Sequence, residues 1–188
     1  MEKIFSSLRK EIAEMDAARE SVIIRSRPIT KESKIAIYSL HRGDIKEAQA
    51  VLTRLKKDIS ELKKLNDSAS DSGSYGAAAQ EYAEAMSYLY FLKEGRLATK
   101  DEIGVDAENY LLGICDLTGE LERRAVFSVV NDDYDEVRKI KSFVAGIYEE
   151  FLKFDLRNGE LRKKADSIKW NLKRIDEILY DLKVRWKI

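Results

Sequence analysis

YLLGICDLTGEL, residues 110–121, reads as buried helix. Its apolar residues recur at helical spacing, yet it also carries Asp116 and Glu120, and it contains Gly113 and Gly119. The two acids are four apart and therefore share a face. Each glycine costs a helix interior about 1 kcal/mol relative to alanine. Two in one helix point to close approach by a neighbouring helix. The acids need a separate account, because buried uncompensated carboxylates are costly and like charges raise each other's pKa.

The same helical spacing extends along most of the chain. Leu8, Ile12, Met15 and Val22 mark a first helix, which Pro28 ends or interrupts. Thr30 is the expected N-cap of a short second helix reaching His41–Arg42, with Gly43 as its stop. Asp44 with Glu47 reads as a capping box for a third helix carrying Ile45, Ala48, Leu52, Leu55, Ile59 and Leu62. DSASDSGS, 67–74, is the clearest loop. A fourth helix is expected from Tyr75 to Glu94, a fifth from Ala107 to Val130 and a sixth from Tyr134 to Phe154. In the seventh, Leu161, Ala165, Ile168, Leu172, Ile175, Leu179 and Leu182 alternate by four and three, as in coiled coils. No segment sustains a period of two. The pattern predicts an all-α bundle of seven long helices in a single domain, 1–188.

Composition narrows the chemistry. Lys+Arg and Asp+Glu balance at 34 each, so net charge does not indicate a polyanionic partner, though a local basic patch is compatible with it. The single cysteine, Cys115, rules out an intramolecular disulfide and a Cys-rich zinc site. His41 is the only histidine, which excludes a multi-His metal site and the Glu-x-x-His pairs of a ferritin-like di-iron centre. It sits near a helix end and reads as structural. There is no Gly-rich phosphate loop and no Ser-His-Asp set. The opening MEKIFSSLRKE lacks the apolar stretch of a secretory signal, and no run approaches a membrane span. A cytoplasmic location is expected.

The fourth helix is unusual. EYAEAMSYLYFL, 81–92, is apolar nearly all round, so it should be buried on most sides. Its only charges, Glu81 and Glu84, share a face. The positions four residues downstream hold Ala85 and Tyr88 rather than a cation. Asp116 likewise lacks a basic residue at that spacing, whereas Glu120 can reach Arg124. Such acids can face a solvent channel, pair with bases from elsewhere, be protonated, or hold a cation. Hard carboxylate oxygens suit Mg²⁺ or Mn²⁺. By spacing alone, ordinary salt bridging is the stronger reading.

Several separated blocks, in order, resemble the translin superfamily: SRPITKESKIAIYSLHR (26–42), EYAEAMSYLYFLKEGRL, YLLGICDLTGELERRAVFSV and a tail ending in YDLKVRW. The resemblance covers nearly the whole chain. It implies seven-helix subunits assembled into a hollow oligomeric barrel. It also implies one of two activities. Translin-type chains bind single-stranded RNA or DNA without cutting it. Trax-type chains carry a Mg²⁺-dependent endoribonuclease centre of acidic residues facing the barrel interior. Glu81 and Glu84 of EYAEA and Asp116 of DLTGEL match the Trax metal acids, and Glu120 matches an acid beside them. The tail 156–185 is more translin-like. The mixture, in a short chain, implies a self-sufficient archaeal or prokaryotic homo-oligomer with an octamer-like barrel.

The resemblance therefore gives the main expectation: a Mg²⁺- or Mn²⁺-dependent endoribonuclease acting on single-stranded RNA. Glu81, Glu84 and Asp116 would hold the metal, with Glu84 or Glu120 as base. Arg123, close to the acids, matches a family arginine and is the first candidate for RNA contact; Arg19, Arg25, Arg27 and Lys93 follow. The alternatives are a non-catalytic single-strand binder of translin type and a purely structural helical oligomer.

Overall fold

The computed structural model describes residues 1–69 and 73–185. Within them the chain forms seven helices in the order α1 (Glu2–His41), α2 (Ile45–Ala69), α3 (Gly73–Glu94), α4 (Lys100–Ile103), α5 (Ala107–Val130), α6 (Tyr134–Phe151) and α7 (Glu160–Val184). The expected all-α class and helix count are met, but the chain is divided differently.

Pro28 does not end the first helix. It lies inside the 40-residue α1. A proline in a helix interior costs about 3 kcal/mol. Opposing that cost is one continuous buried stripe on both sides of it: Val22, Ser26, Ile29, Ser33, Ala36, Ile37 and Leu40. Each fully buried aliphatic side chain contributes about 1.5–3 kcal/mol, so packing wins. Thr30 is accordingly no N-cap; its hydroxyl donates to the Ser26 carbonyl at 3.1 Å. Gly43 does end α1, with φ +85°. The Asp44 carboxylate accepts from Arg42 Nε at 3.1 Å.

The expected loop at 67–74 is shorter at both ends, since α2 reaches Ala69 and α3 begins at Gly73; positions 70–72 lie outside the described residues. The one-turn α4 was not anticipated, although its T-x-x-E signature is present. Glu102 N–H donates to Thr99 Oγ1 at 3.2 Å, and Thr99 N–H donates to Glu102 Oε2 at 2.6 Å, a complete capping box. Arg96 Nη2 adds a bond to Glu102 at 2.8 Å. The Arg96 guanidinium, then the Thr99 N–H, hold the Glu102 carboxyl down to about 2. At its far end α6 stops at Phe151 instead of Phe154.

The chain divides into two compact units, Met1–Gly113 and Ile114–Ile188. In the first, α1 packs on both α2 and α3, and α2 packs on α3. Leu40, Leu52, Leu55, Ile59, Leu62, Tyr82 and Phe91 fill its core. His41, the last residue of α1, lies 3.2 Å from the buried Tyr88 hydroxyl through Nδ1, in keeping with a structural role. In the second unit α6 packs on α7. Ile114, Leu117 and Leu121 are buried with Val137, Ile140, Val144, Ile168 and Ile175. Of the four-three series on α7, Ile168, Ile175 and Leu182 are buried, one per heptad. Among the described residues no helix is long and apolar enough to cross a membrane.

Candidate active site

Helix α3 carries the first pair of acids. Every residue from 82 to 89 is buried, more than two full turns, so the helix is covered in all directions as its composition implies. Glu84 belongs to that run and is only 7% exposed. Glu81, one turn before it, meets Lys34 of α1, with Nζ 3.5 Å from Oε2. The compensating charge comes from another helix, where local spacing could not have located it.

Gly113 sets the position of this segment. A Cβ built there would stand 2.8 Å from the Ala83 Cβ, 2.8 Å from the Gln80 carbonyl oxygen and 2.9 Å from the Glu84 nitrogen. Two of those atoms are backbone, so only glycine fits, and the close approach expected from sequence is present. Gly119 is different: its nearest neighbour is the Asn171 side chain at 3.7 Å, an ordinary contact. The inference that both glycines serve tight packing holds for one of them.

In the second unit Asp116 is gripped by Lys164 of α7. The ammonium lies 2.8 Å from one carboxylate oxygen and 2.7 Å from the other. Both side chains are partly buried, 29% exposed for Lys164 and 28% for Asp116. Glu120 pairs with Arg123 at 3.7 Å. Arg124, which spacing places within reach of Glu120, donates to Glu136 of α6 at 2.9 Å. Cys115, between Ile114 and Asp116, is fully buried. Burial, and then the Asp116 carboxylate, push its thiol up to about 12.

The other candidate RNA contacts are dispersed. Arg19, Arg25 and Arg27 are exposed on α1, and their helical spacing points them in different directions. Lys93 donates to Gln49 at 2.9 Å. Only Arg123 stands beside one of the acids. Sequence reading missed the two lysines that hold acids, Lys34 and Lys164. Their pairings cross between helices remote in sequence, so no local pattern announces them.

Neither unit by itself groups three His, Cys, Asp or Glu side chains as ligands among the described residues. The donor type nevertheless suits a hard divalent cation, since every candidate ligand is a carboxylate. Two of the acids, Glu81 and Asp116, already carry a positive charge in the form of a lysine ammonium.

Comparison with known proteins places the chain as a whole in a family. The model of the translin family matches residues 17–186. Translin-associated protein X of Pongo abelii is 29% identical over 227 aligned positions, covering 96% of this chain and 78% of that protein. The crystal structure of apo-NeC3PO superposes with a TM-score of 0.87 at 27% identity, over 98% of this chain and 97% of that one. The structure of AfC3PO in complex with duplex RNA gives 0.84 at 25% identity, over 96% and 97%.

Proposed function

Since the chain belongs to the translin family, we propose that it is a metal-dependent endoribonuclease that cuts single-stranded RNA within a homo-oligomeric, octamer-like barrel in the cytoplasm. The observation that carries this reading is Glu84, a carboxylate 7% exposed in the most apolar helix of the chain, one turn from Glu81. The helix thus carries a sheltered carboxylate, and carboxylate oxygens are the donors a hard divalent cation takes. RNA as the partner is supported by the duplex RNA held by AfC3PO.

The proposed ligands are Glu81, Glu84 and Asp116, with Mg²⁺ or Mn²⁺ as the cofactor. A cation bound there supplies polarisation of the scissile phosphate and a water of lowered pKa. The chain's own groups do the rest. A carboxylate oxygen of Glu84 or Glu120 accepts the proton of the attacking water. Arg123 offers a planar, permanently charged donor set to a phosphate. Lys34 and Lys164 keep the acids compensated before a cation enters.

The test is a labelled single-stranded RNA incubated with purified protein in Mg²⁺ or in EDTA, with a duplex of the same sequence in parallel. Cleavage that needs the cation is the expected result; equal cutting in EDTA would remove the metal mechanism. The AfC3PO complex refines the comparison. That protein holds duplex RNA, so discrimination against duplex is expected in cutting rather than in binding. The alternative, a translin-type binder that does not cut, predicts retention of both RNAs with no products in any cation.

A further inference from the structure

The grip of Lys164 on Asp116 has a consequence for how a cation would enter. Nζ lies within 2.8 Å of both carboxylate oxygens, so it sits between them, where a bidentate cation would stand. A carboxylate has about four lone-pair sites, and the ammonium takes the two that converge. Mg²⁺ binds carboxylate oxygens at about 2.0–2.1 Å. A divalent ion on the same group would therefore lie a few ångströms from a second positive charge, close enough for the two to repel. The arrangement differs from a helix-surface ion pair, because the two residues come from different helices, α5 and α7, and both are mostly covered.

We propose that Lys164 is a built-in competitor for the cation at Asp116: it holds the carboxylate when no metal is present and must leave when one binds. The inference rests on Asp116 being a metal ligand, as proposed above. The long, flexible lysine stem allows the exchange without backbone movement. The released ammonium stays beside the bound cation, where a phosphate of the substrate can take it up. Lys164 is thus a positioning residue whose effect reaches the chemistry through Asp116.

The experiment measures Mn²⁺ binding by calorimetry, without RNA, on the wild type and on Lys164→Met, Lys164→Gln, Lys164→Arg and Asp116→Asn. Both neutral variants should bind Mn²⁺ at least about tenfold more tightly, because a repelling charge is gone, whereas Lys164→Arg should resemble the wild type. A lysine with a purely structural role would change the melting temperature and leave the Mn²⁺ affinity alone. A second readout uses the unaltered protein: reductive methylation of Lys164, followed by mass spectrometry, should rise when Mg²⁺ is added. Equal Mn²⁺ affinity in wild type and neutral variants, or methylation indifferent to Mg²⁺, overturns the proposal. Mn²⁺ binding that Asp116→Asn leaves intact would instead remove the metal-ligand reading on which it stands.

Discussion

Asp116, Glu81 and Glu84 separate two kinds of acid by which observable moves on mutation. Asp116→Asn keeps the size and removes the charge a hard cation needs. Its present partner, Lys164, is partly exposed, so losing the pair should cost no more than about 1 kcal/mol. The expected outcome is loss of cleavage by at least about a hundredfold, with RNA retention and melting temperature nearly unchanged. Glu81→Gln and Glu84→Gln should behave alike. Full activity in all three variants would refute the proposed centre. Cys115 offers a different residue-scale test. Its thiol is held protonated up to about 12 by burial, whereas an unfolded cysteine ionises near 8.5. The folded pKa is raised, so this contribution to stability is intact below pH about 8.5 and is lost progressively as pH rises toward 12. Native protein at pH 8 should resist thiol reagents that label it fully in denaturant. Cys115→Ala should flatten the alkaline fall in denaturation midpoint; an unchanged fall would assign it to other groups.

At the scale of elements, the sequence foretold what local periodicity controls and missed what neighbouring helices decide. Helix α5 begins and ends at the expected residues, and α3 is buried on every side as its composition requires. The continuity of α1 through Pro28 was not legible, because it depends on a buried stripe supplied by α2 and α3. The acids of the candidate site were legible as an oddity, and the family pattern gave them a role. Their lysine counter-ions were not, since Lys34 and Lys164 arrive from other helices. The two glycines of α5 give the sharpest prediction here. Alanine at 113 would press a methyl group onto backbone atoms 2.8 and 2.9 Å away. Overpacking of that kind costs about 1–3 kcal/mol, more than the helix propensity gained. Alanine at 119 meets only a side chain at 3.7 Å, so it should stabilise by up to about 1 kcal/mol. Urea denaturation of Gly113→Ala and Gly119→Ala should therefore show midpoints moving in opposite directions, and cleavage should fall in the first alone. Movement of both midpoints in one direction would contradict the packing assigned to Gly113.

For the whole molecule, the decisive feature is the beginning of α1. Ile4, Phe5, Leu8, Ile12 and Met15 are all exposed there. Phe5, Leu8, Ile12 and Met15 are spaced three, four and three, the seam of a coiled coil. The same phase continues to Val22, which is fully buried in the first unit. A helical stretch of this length, with few alanines and no packing, is marginal in water, and five large apolar side chains on one segment are more than a solvated surface ordinarily carries. Homo-oligomerisation would account for both if this segment meets another copy. Light scattering should give a mass several times the 21.6 kDa of one chain. Phe5→Glu combined with Ile12→Glu places charge on the seam while leaving the buried stripe from Val22 onward untouched. That variant should fall to a smaller species, keep its helical circular dichroism, and lose RNA retention along with the barrel. If the wild type is a monomer at micromolar concentration, the barrel is wrong and the enclosed-site argument fails with it. A variant of unchanged mass would leave the oligomer standing and move its interface away from the start of α1.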